Sequence, residues 1–205
     1  MSSPRIAWLL TSAFYYWHPM LSYLTRLFPY TTAFAAKWQG YAPTFENSFK
    51  VDVVGNRKII SLTKSETGYG NNFTWMSLAI VDRLLKFQPQ VVFSNSFGMW
   101  TALALLFKPI GKWRVVIAYE GSSPSVDYCN SPWRLRLRRA MVRAADACIT
   151  NSGAGKTYLI QKIGARSDQV FVQPYEVPCA DALFDSDPFN SGNPLNLQHP
   201  TFLFV

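Results

Sequence analysis

Apolar and polar positions along this chain fall into two rhythms. Apolar runs at residues 5–11 and 113–119 are what parallel strands carry when both of their faces are covered, and residues 145–152 read as a short buried strand that ends in a polar pair. Residues 30–36, 90–94 and 169–174 read as further strands, the last ending on Pro174. Residues 49–55 alternate and close on Gly55. Helical spacing appears between these runs. Met76, Ala79, Ile80, Leu84 and Phe87 share one helical face, with Asp82 and Lys86 off it, and Pro89 ends the helix. Pro19 opens a helix to about residue 28, and Ser131 with Pro132 supplies a cap and a first-turn proline for a helix ending near Ala145. Residues 98–107 are apolar nearly all round, which places that helix in the interior. Residues 38–48, 61–72 and 120–130 read as loops.

Strands that alternate with helices of this length define βαβ units and a parallel sheet. The expected fold class is therefore α/β, a Rossmann-like doubly wound sheet, and its ligands bind beyond the carboxyl ends of the strands. Those ends are Thr11 and Ser12, Ser94 to Ser96, Tyr119 to Gly121, and Asn151 to Gly153. All are mainly small or polar, as the rim of a site requires. Beyond Pro174 the composition shifts to Pro, Asn, Asp and Ser, then ends in an apolar run. The expected organisation is a domain over residues 1–177, a linker over 178–200, and at 201–205 the first strand of a second domain that is missing.

The length of 205 residues suits one α/β domain, and 49% apolar residues mark a globular chain. No run approaches the ~18 apolar residues of a spanning helix. Arg5 precedes only a short apolar run, and no small-residue cleavage site follows, so a secretory signal is not expected. Cys129, Cys148 and Cys179 are odd in number and form no CxxC pair, and only His18 and His199 stand beside them. Neither a disulfide framework nor a metal site fits, and a cytoplasmic location is expected. In that compartment the sequon at Asn72 is a coincidence. The net charge of +8 calls for an anionic partner (nucleic acid, an anionic membrane or a phosphorylated substrate) or is an ordinary basic surface.

Four stretches carry candidate chemistry. Residues 152–157 resemble the end of a phosphate-binding Walker A loop, but Thr150 stands where that loop needs its first glycine. A helix N-terminus capped by Ser152, with Lys156 on its exposed side, is the better reading. Glu120 ends a central strand. It either handles a proton or orients a hydroxyl at the crevice, or it caps the next turn. The aromatic loop at residues 12–18 suits sugar stacking, lipid contact or packing on itself, with His18 as a candidate base or a structural residue. The helix over residues 133–143 carries Arg134, Arg136, Arg138, Arg139 and Arg143 around a core stripe of Trp133, Leu137, Ala140, Met141 and Ala144. Such a helix docks on an anionic membrane surface or is a solvated basic face. Nucleic acid is not expected, because no reader motif or interleaved exposed aromatics accompany the charge.

The order strand, Ser152, helix, Gly164, strand ending in Pro174, acidic turn, Phe184 resembles the late part of the N-terminal domain of GT-B glycosyltransferases, particularly the retaining family 4 enzymes. The likeness spans residues 86–205 and is looser before them. It implies an acceptor-side domain of an enzyme that moves a sugar from a nucleotide-sugar donor to a glycan or lipid-linked acceptor. It also implies no cofactor and no metal, and a peripheral place at the inner membrane face. Where many members carry a histidine, this chain has Glu120, the expected catalytic residue. Ser12, Asn95, Ser96, Gly121 and Ser152 are the expected substrate-binding residues around it. The paired glutamates of the family belong to the second domain, so these residues alone are expected to be inactive. The competing expectation is a non-catalytic Rossmann-like module that binds a phosphorylated ligand or partner.

Overall fold

A computed structural model of the chain describes residues 3–61, 72–120, 127–129 and 131–173. Seven strands form one parallel sheet in the order β3-β2-β1-β6-β7-β8-β9. In chain order these are β1 Ile6–Leu10, β2 Thr31–Ala35, β3 Lys50–Val53, β6 Val91–Asn95, β7 Arg114–Tyr119, β8 Ala147–Thr150 and β9 Val170–Val172. The connecting helices are α1 His18–Leu27, α2 Ile80–Phe87, α3 Met99–Gly111, α4 Pro132–Ala144 and α5 Gly153–Thr157, the last running on into a π-helical turn at Tyr158–Lys162. The expected α/β class and parallel sheet are both present.

The continuous apolar strands are explained by cover on both faces. Ala7, Leu9, Phe34, Val92 and Val115 pack with Ile80 and Leu84 of α2 and with Trp100 and Ala104 of α3. Trp8 and Leu10 point the other way and meet Trp17 and Leu21. Farther along the sheet, Ile117, Tyr119, Cys148 and Val170 pack with Met141, Val142, Leu159 and Ile163. Each fully buried side chain of this kind contributes roughly 1.5–3 kcal/mol. The Cys148 thiol lies inside this third cluster, and burial pushes its pKa up to about 12. It stays an inert, protonated packing group at neutral pH.

Strand order reverses between β1 and β6, so the crevice of the sheet opens at their carboxyl ends. Two devices fix the elements around β8, on the far side of β7 from it. Lys108 of α3 bonds the Asp146 carboxylate at 2.7 Å and the Ala144 carbonyl at 3.0 Å, tying α3 to the turn into β8. Burial alone would raise the Asp146 pKa, but Lys108 and the Val115 N–H outweigh it and hold the carboxyl low. The buried Gln169 amide donates to the Val142 and Ala145 carbonyls, closing the end of α4.

The structure refines three expectations. Residues 62–71 of the stretch read as a loop lie outside the described residues, and its two end residues belong to strands. Lys58–Ser61 (β4) pairs antiparallel with Asn72–Trp75 (β5), and α2 begins only at Ile80. Ile59, Ile60 and Trp75 of this hairpin are exposed, so it lacks the half-buried alternation by which strands are recognised. Helix α3 is not interior all round: Trp100, Thr101 and Ala104 are buried, whereas Leu106 is 70% exposed and Ile110 66%. It covers one sheet face, and nothing among the described residues covers its back. Ser131 starts α4 but makes no side-chain cap bond; only Pro132 acts as expected. Residues 178–200 and 201–205, the expected linker and second-domain strand, lie outside the described residues.

Candidate active site at the switch point

A cavity of about 460 Å³ opens where β1 and β6 part. That volume is in the range of small-molecule sites. Thr11 supplies one edge, residues 94–101 the floor, Glu120 the end of β7, and Trp133, Arg134, Leu137 and Arg138 of α4 the far wall. Asn95 and Ser96 are both in the lining, as expected. Ser96 takes a left-handed φ of 57°, its N–H bonds the Ala118 carbonyl at 2.7 Å, and its own carbonyl accepts the Thr101 hydroxyl at 2.7 Å. Thr101 has one proton and spends it there, so the 2.7 Å contact with Ser94 has Ser94 as donor. The turn from β6 into α3 is thus locked by three bonds at the cavity floor.

Glu120 is half-buried at the end of β7 and lines the cavity. Its neighbour Tyr119 is wholly buried and donates to the Asp127 carboxylate. Burial first, then that bond and the charge of Asp127, raise the Tyr119 pKa, so the phenol stays protonated. Arg138 Nη1 donates to the Tyr158 hydroxyl at 2.7 Å and to the Asp127 carbonyl at 3.2 Å. Tyr158 in turn donates to that same carbonyl at 2.6 Å. Burial raises the Tyr158 pKa, and the charge of Arg138 opposes the rise. This network clamps Asp127, seven residues beyond Glu120, onto α4 and the π-helical turn that follows α5.

Arg138 was expected on a membrane-facing surface; it is only 7% exposed. The whole helix is rotated relative to its expected stripe. Met141 is buried as expected, but Arg138 and Val142 share its face, while Trp133 is 59% exposed and Leu137 44%. The reason is local. Phe97, Tyr119, Tyr128 and Tyr158 offer ring faces to a guanidinium, and the Tyr158 hydroxyl and the Asp127 carbonyl accept its N–H groups. Arg136, Arg139 and Arg143 are exposed. Arg139 nonetheless has a fixed task, donating through Nε and Nη2 to the Lys162 carbonyl at 3.2 and 3.0 Å.

Two expected substrate residues lie elsewhere. Ser12 is buried and absent from the lining; Thr11 takes its place, because it follows Leu9 on the cavity side while Ser12 falls on the side of Leu10. Ser152 sits at the end of β8, also outside the lining, and accepts the Gly155 N–H at 3.1 Å as the cap of α5. That is the capping role favoured over a phosphate loop. A Cβ on Gly155 would fall 2.1 Å from the Thr150 hydroxyl oxygen, so the glycine serves close packing of helix on strand. Gly121 lies outside the described residues. His18 is no base at this site: it is fully buried, away from the lining, among Tyr15, Trp38, Tyr41, Phe45 and Phe49. Sequence reasoning missed Phe97 to Thr101 and the α4 wall. The first carries a readable signal, a helix N-terminus directly after a switch-point strand.

A parallel sheet with its cleft at the switch point defines a Rossmann-like α/β domain. The model of Glycosyltransferase Family 4 matches residues 23–177, and the chain belongs to that family. Comparison with curated proteins gives no match. Among solved structures, the chain is similar to a UDP-N-acetylglucosamine 2-epimerase from Rickettsia bellii, with 13% identity and a TM-score of 0.52 over 89% of this chain and 48% of that one. It also matches the UDP-GlcNAc 2-epimerase from Neisseria meningitidis bound to UDP-GlcNAc (16% identity, TM-score 0.49, 82% and 45%). A third match is a glycosyltransferase from Rickettsia africae (12% identity, TM-score 0.47, 82% and 42%). The chain spans about half the length of the solved structures it matches.

Proposed function

We propose that the chain is the acceptor-side half of a glycosyltransferase that moves a sugar, with retention, from a nucleotide-sugar donor to a glycan or lipid-linked acceptor. The observation that carries the reading is Glu120 in the wall of the switch-point cavity, between the floor of β6 and the arginines of α4. A carboxylate there can accept a hydrogen bond from an acceptor hydroxyl and take its proton as the hydroxyl attacks. Asn95 and Ser96 supply polar groups to fix the sugar, and Met99 and Trp133 supply apolar surface for ring faces. The donor half belongs to a second domain, so the described residues alone bind acceptor without turnover.

The exposed Arg136 and Arg143, with exposed Trp133 and Leu137, support docking of α4 against an anionic membrane from the cytoplasmic side. Each such arginine near the surface is worth on the order of 1 kcal/mol. No helix among the described residues is long and apolar enough to cross a membrane. The test of the main reading is to supply the complete protein with nucleotide sugars and candidate acceptors and follow product by proton NMR. A product with the donor's anomeric configuration supports the proposal. Saturable nucleotide-sugar binding with no transfer to any acceptor favours the non-catalytic module instead.

A further inference from the structure

We propose that the cavity holds a subsite for an anionic group of the acceptor, a phosphate or carboxylate, gripped by Arg134 with Arg138 behind it. The proposal deepens, and rests on, the glycosyltransferase reading. Arg134 is half-buried in the cavity wall. Its guanidinium lies over the Tyr128 ring, 4.1 Å from the centroid, and 5.7 Å from that of Trp133. Stacking holds the planar fork in place before any ligand arrives, so less rotamer entropy is lost on binding. No ion pair among the described residues engages it, although surface pairs form elsewhere, as between Lys86 and Asp82. One turn further along α4, Arg138 lines the same cavity and donates to the Tyr158 hydroxyl and the Asp127 carbonyl.

Charge then orients the ligand. The Glu120 carboxylate belongs to the same lining, so an anion is repelled from it and drawn to the two guanidinium groups. An acceptor with an anionic group at Arg134 turns its free hydroxyl toward Glu120, while Met99, Trp133 and Leu137 receive its apolar part. A neutral glycan gains nothing from this arrangement.

The test is calorimetric titration of the protein with phenyl phosphate and, as the uncharged counterpart, phenyl β-glucoside. Phenyl phosphate is expected to bind more tightly, with affinity falling as salt rises. Arg134→Gln is expected to weaken it about 10-fold or more, since the bonds lost are charge-assisted. Arg26→Gln, exposed on α1 and outside the cavity lining, is expected to stay within about twofold. Equal binding of phosphate and glucoside, or equal losses in the two variants, overturns the subsite. A melting curve for each variant separates lost binding from lost fold. A short-chain phosphatidic acid forms the second arm: tighter binding than phenyl phosphate marks a lipid-borne group, and weaker binding a water-soluble one, both through Arg134. Sugar transfer is assayed separately. Transfer without Arg134-dependent phosphate binding sinks this proposal alone; phosphate binding without transfer sinks only the transferase reading.

Discussion

His18 and Arg138 are two buried basic side chains, each walled by aromatic rings, and they do opposite things. The His18 ring lies 5.0 Å from that of Phe49 and 5.3 Å from that of Trp38, and its Nδ1 accepts the Ala42 N–H at 3.0 Å. Burial lowers its pKa more than the Ala13 backbone raises it, so the imidazole is neutral. Arg138 has its Cζ 4.9 Å from the Phe97 centroid and 5.0 Å from that of Tyr128. A guanidinium does not shed its proton. Its cage must therefore keep oxygens within reach and leave one side toward the cavity. A histidine resolves burial by becoming neutral, and its cage closes into scaffold, pinning the loop after β1 to residues 38–49. An arginine cannot, and its cage becomes part of a site.

The comparison breaks most easily at Arg138. Arg138→Met removes two bonds from a charged donor and leaves the Tyr158 hydroxyl and the Asp127 carbonyl only the bond between themselves, an expected loss of about 2–3 kcal/mol. For a domain of this size that lowers the melting temperature by roughly 5–10 °C. Turnover by the complete protein should fall with it, because the clamp on Asp127 is gone. A melt unchanged by this substitution would remove the clamp from the account. His18→Phe keeps the aromatic packing and loses the bond from Ala42, for about 1 kcal/mol in a denaturant titration. Initial rates should not move.

The smallest effect is one of pH. Below about pH 6.5 the unfolded chain protonates His18, which the fold resists. The stabilisation from this site is therefore complete above that pH and is lost as pH falls toward the lowered folded value. The His18→Phe variant should lose less stability than the wild type between pH 7 and pH 5. Parallel stability profiles would show that the fold does not resist protonation of His18.

The sheet was legible because its strands are continuous apolar runs, and a parallel sheet buried on both faces leaves no other reading for residues 5–11 or 113–119. The floor of the site was legible as far as Asn95 and Ser96, because topology alone sends ligands to strand ends. The rotation of α4 was not. Trp133 and Leu137 outrank Arg138 on any scale of hydrophobicity, and only the Tyr158 and Asp127 oxygens, far along the chain or in a loop, make arginine the better core residue. Ser12 failed by one position, since a strand's last residue sets which side each successor faces. The hairpin at Lys58–Ser61 stayed hidden because Ile59 and Ile60 are neighbours in sequence and both exposed, which erases the period of two.

The measurement that bears most directly on the central claim is the initial rate of sugar transfer by the complete protein, taken side by side for wild type, Glu120→Gln and His18→Phe. The cavity at the switch point is held to carry the chemistry and the His18 cage to be scaffold. The predicted result is a loss of about 100-fold or more in Glu120→Gln, of the size expected when a positioned proton acceptor is removed, with His18→Phe close to wild type. Wild-type turnover in Glu120→Gln, or a collapse in a fully folded His18→Phe, would contradict it.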